Sequence, residues 1–195
     1  MIRRTLVLVT LLLALMSPAL AYGQAKTNAV ADRISIKIRK LDLLNQILPV
    51  LLTKSQIRQL LPSIEVARQA ERDQMDKELE VMKTYENKLD AAIAQAIDHK
   101  RVTKLEVLKD LRAMVRGISI SRLTMIGAHT EKVRAKFVSV VNAGQVKAAA
   151  NALDPRLVDP NAKVDKMTTD EKLKYWIKTI LLDPLAYDLL VQLSK

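Results

Sequence analysis

The 195-residue chain has no cysteine, only four glycines and only six aromatic residues. Without cysteine it can form no disulfide and offers no thiolate as a nucleophile or metal ligand. The scarcity of aromatic residues and glycine disfavours a β-sandwich or barrel. No glycine-rich phosphate loop is present, and neither histidine lies in a metalloprotease-type motif. We therefore predict that the protein is not an enzyme and binds no cofactor.

The N-terminal residues have the pattern of a signal peptide. Two arginines at positions 3 and 4 precede an apolar run from Leu6 to Met16, and a small-x-small cleavage site ends at Ala21. The run is shorter than the roughly 20 apolar residues of a membrane span. We predict cleavage after Ala21 and a periplasmic mature chain without a transmembrane span. A retained N-terminal anchor is the alternative.

The net charge of the whole chain is +11, and removing residues 1–21 lowers it to +9. Export argues against nucleic acid as the partner of this basic chain, so unfolded chains, acidic proteins and anionic membrane surfaces are the better candidates. The positive charge is concentrated after residue 103, although a solvated basic face without a partner remains the alternative. Its carriers there are Lys104, Lys109, Arg112, Arg116, Lys132, Arg134 and Lys136.

Apolar residues recur at spacings of three and four through most of the chain, which indicates helices. We predict helices over residues 29–48, 53–98, 103–140 and 142–153, a loop over 154–167, and two last helices from 168 and 183. The connection at 99–102 is short, so the two long helices should be antiparallel neighbours. Their apolar stripes, which include Met75, Leu79, Ile93, Ile97 and Leu105, should face each other, and Pro62 should kink the first.

The predicted fold class is therefore all-α: an elongated antiparallel helical hairpin with short flanking helices and a C-terminal helical pair. In domain terms, residues 1–21 form the signal peptide and residues 22–153 form the helical domain. Residues 154–195 form a proline-containing loop and the helical pair, packed on that domain.

Capping boxes mark several predicted helix starts. In the sharpest, Thr53 and Gln56 exchange side-chain and backbone hydrogen bonds while Leu52 closes a hydrophobic staple. The same spacing returns near residue 142, with asparagine as the cap and valine before it. The six residues of these two motifs are Leu52, Thr53, Gln56, Val141, Asn142 and Gln145.

Three further patterns also predict the N-terminal ends of helices. Thr103 with Glu106, and Thr168 with Glu171, have capping-box spacing. Asp183 before Pro184 places a cap and a first-turn proline at the start of the last helix.

The paired motifs resemble the two LTxxQ motifs of the Spy/CpxP family of periplasmic helical proteins. The resemblance covers roughly residues 52–150; the second copy has valine and asparagine in place of leucine and threonine, and the last two helices have no counterpart. The resemblance implies an all-helical homodimer that binds unfolded or misfolded envelope proteins without ATP, on a basic, partly apolar face. It also implies a role in the envelope stress response.

The candidate client-binding residues are Lys109, Arg112, Arg116, Arg122 and Met125. Arg122 interrupts the apolar stripe of its helix, and equal steps back from the turn place Glu78 or its neighbour opposite, so we predict an ion pair there. A solvated position on the flank of the helix is the alternative.

Met125 and His129 are spaced i, i+4 and could hold a soft metal ion together. Two ligands make a weak site, and packing of a methionine beside a histidine in the helical seam explains the pair better. We therefore predict no metal site.

Together these patterns predict an ATP-independent periplasmic chaperone-like protein. The alternative is an envelope-stress or metal-responsive regulator that binds the periplasmic domain of a sensor kinase. A third possibility is a membrane-surface binder that uses the amphipathic segment of residues 34–52.

Overall fold

The computed structural model describes residues 29–100 and 102–195, and these residues form helices and turns without a strand. The prediction of an all-α fold is confirmed. The predicted signal peptide, residues 1–21, lies outside the described residues. The α-helices are α1 (Ala29–Ile47), α2 (Lys54–Lys83), α3 (Glu86–His99), α4 (Leu105–Val140), α5 (Ala143–Ala152), α6 (Thr169–Trp176) and α7 (Ala186–Leu193).

The chain divides into two compact units, residues 1–38 and residues 39–195. In the first unit, the described residues 29–38 form the beginning of α1, and all of them are exposed. The second unit contains the hydrophobic core and every site discussed below.

The core of the second unit is built by α2, α4, α5, α6 and α7, which pack on one another, together with Leu43 and Ile47 at the end of α1. Trp176 of α6 and Phe137 of α4 are fully buried, and their ring centroids lie 5.6 Å apart in a tilted arrangement. A π-helical turn, Ile177–Leu181, continues α6 and buries three more aliphatic side chains. The C-terminal helices therefore supply much of the core and do not merely cover it. Other fully buried members are Leu43, Leu60, Ile64, Val133, Leu173 and Leu190.

The two long helices α2 and α4 pack against each other and run in opposite directions. Two ion pairs join the two sides of this antiparallel arrangement. Glu78 of α2 pairs with Arg122 of α4, and Lys88 of α3 pairs with Asp110 of α4. Each pair joins residues at nearly equal distances along the chain from the turn at Lys100, which is the register of an antiparallel pair.

Between Glu78 and Ile118 no described residue is buried. We call residues 79–117 the distal segment. The prediction that the apolar stripes of the two long helices face each other is wrong for five residues, because their side chains are exposed. These residues are Met75, Leu79, Ile93, Ile97 and Leu105. Two helices bury only the narrow strip that faces the partner, and α3, which forms much of the distal segment, is not among the elements that pack closely on another element.

The prediction of one helix over residues 53–98 is wrong, because the structure separates α2 from α3 at Thr84 and Tyr85. The Thr84 hydroxyl donates to the carbonyl of Val81 at 2.7 Å, and the amide of Tyr85 donates to the carbonyl of Met82 at 3.0 Å. Such local bonds compete with the regular helical ladder. Pro62 lies inside α2, which continues through it as an α-helix.

Two predicted helix starts are also wrong. Helix α4 begins at Leu105 with Lys104 as an uncapped N-terminal neighbour, so Thr103 and Glu106 form no capping box. Helix α7 begins at Ala186, two residues later than expected, although the carboxylate of Asp183 does accept from the amide of Leu185 at 2.9 Å. The capping box of Thr168 and Glu171 at the start of α6 is confirmed.

Charged side chains join α4 to α6. Arg134 lies 2.5 Å from the carboxylate of Asp170, and Lys174 bridges Glu131 at 2.6 Å and Asp170 at 3.4 Å. Burial by itself would raise the pKa of Asp170, but the hydrogen bond and charge of Arg134, with Lys174, outweigh it and hold that pKa below its ordinary value. The folded state thus favours the ionised carboxylate.

This lowered pKa predicts a pH dependence of stability. Because Asp170 binds its proton less readily in the folded state, its contribution is complete above the ordinary pKa of aspartate. It is lost as pH falls through the lowered folded-state pKa. We expect the difference in melting temperature between the wild type and Asp170→Asn to shrink as pH drops below 4 or so. The variant Asp159→Asn is the control, and an unchanging difference across this range would contradict the assignment.

Candidate functional site

The start of α2 is held by the predicted capping box. The amide of Gln56 donates to the Thr53 hydroxyl at 3.2 Å, and the amide of Thr53 donates to Oε1 of Gln56 at 2.9 Å. Leu52 lies half-buried against the core, and Ile57 is buried. The prediction for this first motif is confirmed.

The start of α5 repeats the arrangement with asparagine as the cap. The amide of Gln145 donates to Oδ1 of Asn142 at 2.9 Å, and the amide of Asn142 donates to Oε1 of Gln145 at 3.1 Å. Val141 packs against the core in the position that Leu52 has in the first motif. The second motif therefore has the full geometry of a capping box despite its different residues.

The two motifs meet through their glutamines. Nε2 of Gln56 donates to Oε1 of Gln145 at 2.9 Å, and Nε2 of Gln145 donates back to Oε1 of Gln56 at 3.0 Å. Each Nε2 also donates to a backbone carbonyl two residues before the other motif's cap. Those acceptors are Val140, at 3.1 Å from Gln56, and Leu51, at 2.9 Å from Gln145. The two glutamines thus form a reciprocal amide pair, and its four amide atoms all have partners.

The backbone at the amide pair is strained. Leu51 adopts a left-handed conformation with φ of 54°, which is rare for a large side chain, and its side chain is 78% exposed. The hydrogen bond from Gln145 to its carbonyl holds it there. Beside it lies a cavity of about 400 Å³ between the two helix starts, lined by Pro49, Val50, Leu51, Thr53, Gln56, Asn142, Gly144, Gln145 and Ala148.

The predicted basic residues Lys109, Arg112 and Arg116 are exposed on one side of α4. At about 100° per residue, their spacing places them within one narrow sector of the helix. None of the three forms an ion pair with another residue that the structure describes. Their charges are therefore available to an external partner.

Aliphatic side chains share this sector. Ile120 and Leu123 follow Arg116 at helical spacing and are 54% and 63% exposed, and Leu105 precedes Lys109 and is 56% exposed. Sequence reasoning missed Ile120 and Leu123 as site residues, although their spacing from Lys109 (i+11 and i+14) continues the stripe. We call this set the mixed face: Leu105, Lys109, Arg112, Arg116, Ile120 and Leu123.

The structure separates Arg122 and Met125 from the mixed face. The guanidinium of Arg122 bonds to Glu78, which is only 3% exposed, and Gln74 donates to the same carboxylate at 3.1 Å. The predicted ion pair is confirmed. The carboxylate of Glu78 raises the pKa of Arg122 against the opposing effect of burial. Arg122 therefore links α4 to α2 and favours one register between the two helices.

Met125 lies at a second cavity, of about 130 Å³, together with His129. Burial, and then the charge of Lys132, lower the pKa of His129, so the folded state disfavours the charged imidazolium. Glu71 lines the same cavity, but so do the cations Arg68 and Lys178. These two positive charges oppose a metal ion. Among the described residues, no three His, Asp or Glu side chains are grouped as metal ligands.

No family model, curated protein or solved structure matches this chain. What the site does is therefore inferred from its own geometry. Across residues 29–100 and 102–195, no helix is both long enough and apolar enough to cross a membrane.

The amide pair predicts non-additive mutations. Gln145→Ala leaves Nε2 of Gln56 and the carbonyl of Leu51 short of partners in a half-buried site, so we expect it to lower the free energy of unfolding by about 1–3 kcal/mol. Gln56→Ala should cost a similar amount. The double variant should cost clearly less than the sum of the two, because each single change already breaks the pair.

Urea denaturation of the wild type, both single variants and the double variant measures this coupling. Gln59→Ala is the matched control, since Gln59 is an exposed glutamine of the same helix whose side chain donates a hydrogen bond to Ser55 of its own helix. Strictly additive losses would show that the two glutamines do not stabilise each other.

Proposed function

We propose that this protein is an ATP-independent, chaperone-like protein of the periplasm that binds unfolded or misfolded clients on the mixed face of α4. The observation that carries the proposal is the combination of exposed cations and exposed aliphatic side chains on one sector of a helix. Solvent-exposed apolar patches edged by charge are typical of surfaces that bind other macromolecules. The periplasmic location is supported by the N-terminal sequence pattern alone.

The chemistry of the mixed face suits weak and adaptable binding. Lys109, Arg112 and Arg116 attract acidic chains over a range set by ionic strength, which speeds encounter. Leu105, Ile120 and Leu123 then contact apolar segments of the client without enclosing them. Partial burial of a few aliphatic side chains gives modest affinity, so clients can be released without ATP.

The distribution of buried residues in the second unit supports the same proposal. The core lies among the C-terminal helices and the adjoining halves of α2 and α4, and it provides the stability. The described residues of the distal segment include none that is buried, so the part of the mixed face that lies there, from Leu105 to Arg116, can change partners without disturbing the core. A homodimer stays a prediction of the family resemblance.

Suppression of aggregation tests the proposal. A denatured client is diluted into buffer with increasing amounts of the protein, and light scattering is followed at low and high salt. We expect suppression near stoichiometric amounts, weakened by salt. The triple variant Lys109→Glu, Arg112→Glu, Arg116→Glu should capture an acidic client more slowly, by on the order of tenfold.

The matched control is Lys132→Glu, Lys147→Glu, Lys163→Glu, which makes the same change of net charge at exposed lysines outside the mixed face. If the wild type suppresses no aggregation at any ratio, the chaperone proposal fails. Tight, saturable binding to one folded partner would instead favour the regulator that binds a sensor kinase.

A further inference from the structure

The residues of the mixed face have a definite order along the axis of α4. Leu105 lies at one end, the three cations follow in the middle, and Ile120 and Leu123 lie at the other end. At about 1.5 Å per residue, the cations span roughly 10 Å and the whole face roughly 27 Å. The face is thus apolar, then basic, then apolar.

No carboxylate interrupts this order. Glu106 and Asp110 are the acidic residues of α4 near the cations, and they lie about 60° and about 100° around the helix from Lys109, outside the sector of the mixed face. Asp110 is in addition engaged by Lys88 of α3. A ligand on the mixed face therefore meets an excess of positive charge at its centre and aliphatic side chains at both ends.

We propose that the mixed face selects polypeptide segments in which acidic residues are flanked on both sides by apolar residues. This inference rests on the proposed function and names the chemistry of the client. An extended chain rises about 3.3 Å per residue, so about eight residues cover the face. Two carboxylates in the middle of such a segment would lie against the cations, and apolar side chains at its ends would lie against Leu105 and Leu123.

The same face fits an anionic bilayer less well. A helix that lies in a membrane interface has a continuous apolar stripe along its length, with the cations on its polar side. On α4 the three cations interrupt the aliphatic residues along the axis, so the apolar ends could enter a bilayer only by drawing the cations in with them. A flexible peptide can match the alternation residue by residue.

Three fluorescently labelled peptides test the order, and the first two of them have identical composition. The first peptide has two aspartates separated by one serine at its centre and two leucines at each end. The second has the leucines at the centre and the aspartates at the ends, and the third is the first with lysine for aspartate. Binding to the full chain is measured by fluorescence anisotropy, with flotation on phosphatidylglycerol vesicles as a parallel measurement.

We expect the first peptide to bind at least about tenfold more tightly than the second, with a salt-dependent affinity, and the third not to bind. Arg112→Glu with Arg116→Glu should reverse the preference between the first and third peptides. Lys132→Glu, on the same helix but outside the mixed face, should leave it unchanged. Circular dichroism melting of each variant shows that the fold is retained.

Equal binding of the first and second peptides would overturn the inference. So would flotation on the vesicles without peptide binding, which would assign the face to a lipid surface. If aggregation of a denatured client is still suppressed in either case, the proposed function survives and only the selectivity is wrong. If suppression is absent as well, both proposals fail.

Discussion

The reciprocal hydrogen bonds between Gln56 and Gln145 join the start of α2 to the start of α5. Each glutamine closes its own capping box with Oε1 and reaches the other motif with Nε2. Gln145 is 9% exposed, so an amide left without a partner there would cost about 1–3 kcal/mol. The alternative arrangements of α2 and α5 lose this network, and the pair therefore favours one mutual orientation of the two helix starts.

The hydrophobic core of the second unit is concentrated near the two glutamines. Helix α5 packs on α6, and α2 and α4 pack on the C-terminal helices, so the buried aliphatic residues collect at the same end as the glutamines. Toward the distal segment the last buried residues are Glu78 and Ile118. A buried ion pair is weak evidence of stability but a good means of specifying register, because sliding the helices would leave Glu78 charged and alone. Between Glu78 and Ile118 no described residue is buried, and the part of the mixed face from Leu105 to Arg116 lies there.

The parts of the fold that depend on residues close together in the chain can be predicted from the sequence. The capping boxes at Thr53, Asn142 and Thr168 follow from a three-residue spacing, although Thr103 and Glu106 have that spacing and form no capping box. The pairing of Arg122 with Glu78 follows from equal counts from a short turn. The contact between the two glutamines could not be predicted, because residues 89 positions apart meet only through the tertiary fold.

The sequence predicts which segments are helical better than it predicts which side chains are exposed. Periodicity shows which residues share a side of a helix, but it does not show whether another element covers that side. Periodicity therefore places Ile97 and Leu105 between the two long helices, although both side chains are exposed. It also does not identify Ile120 and Leu123 as exposed residues beside the cations. The break at Thr84 and the π-helical turn after Trp176 likewise depend on contacts that a local pattern does not contain.

Native-state hydrogen exchange tests the central claim most directly, namely that a stable core at one end supports a distal segment with no buried side chains. The account predicts that amides in α3 and in residues 105–116 exchange through local opening, at least on the order of 100-fold faster than amides in residues 57–67 and 133–137. Those core amides should exchange only with global unfolding. Equal, fully global protection along the whole length of α2, α3 and α4 would contradict it.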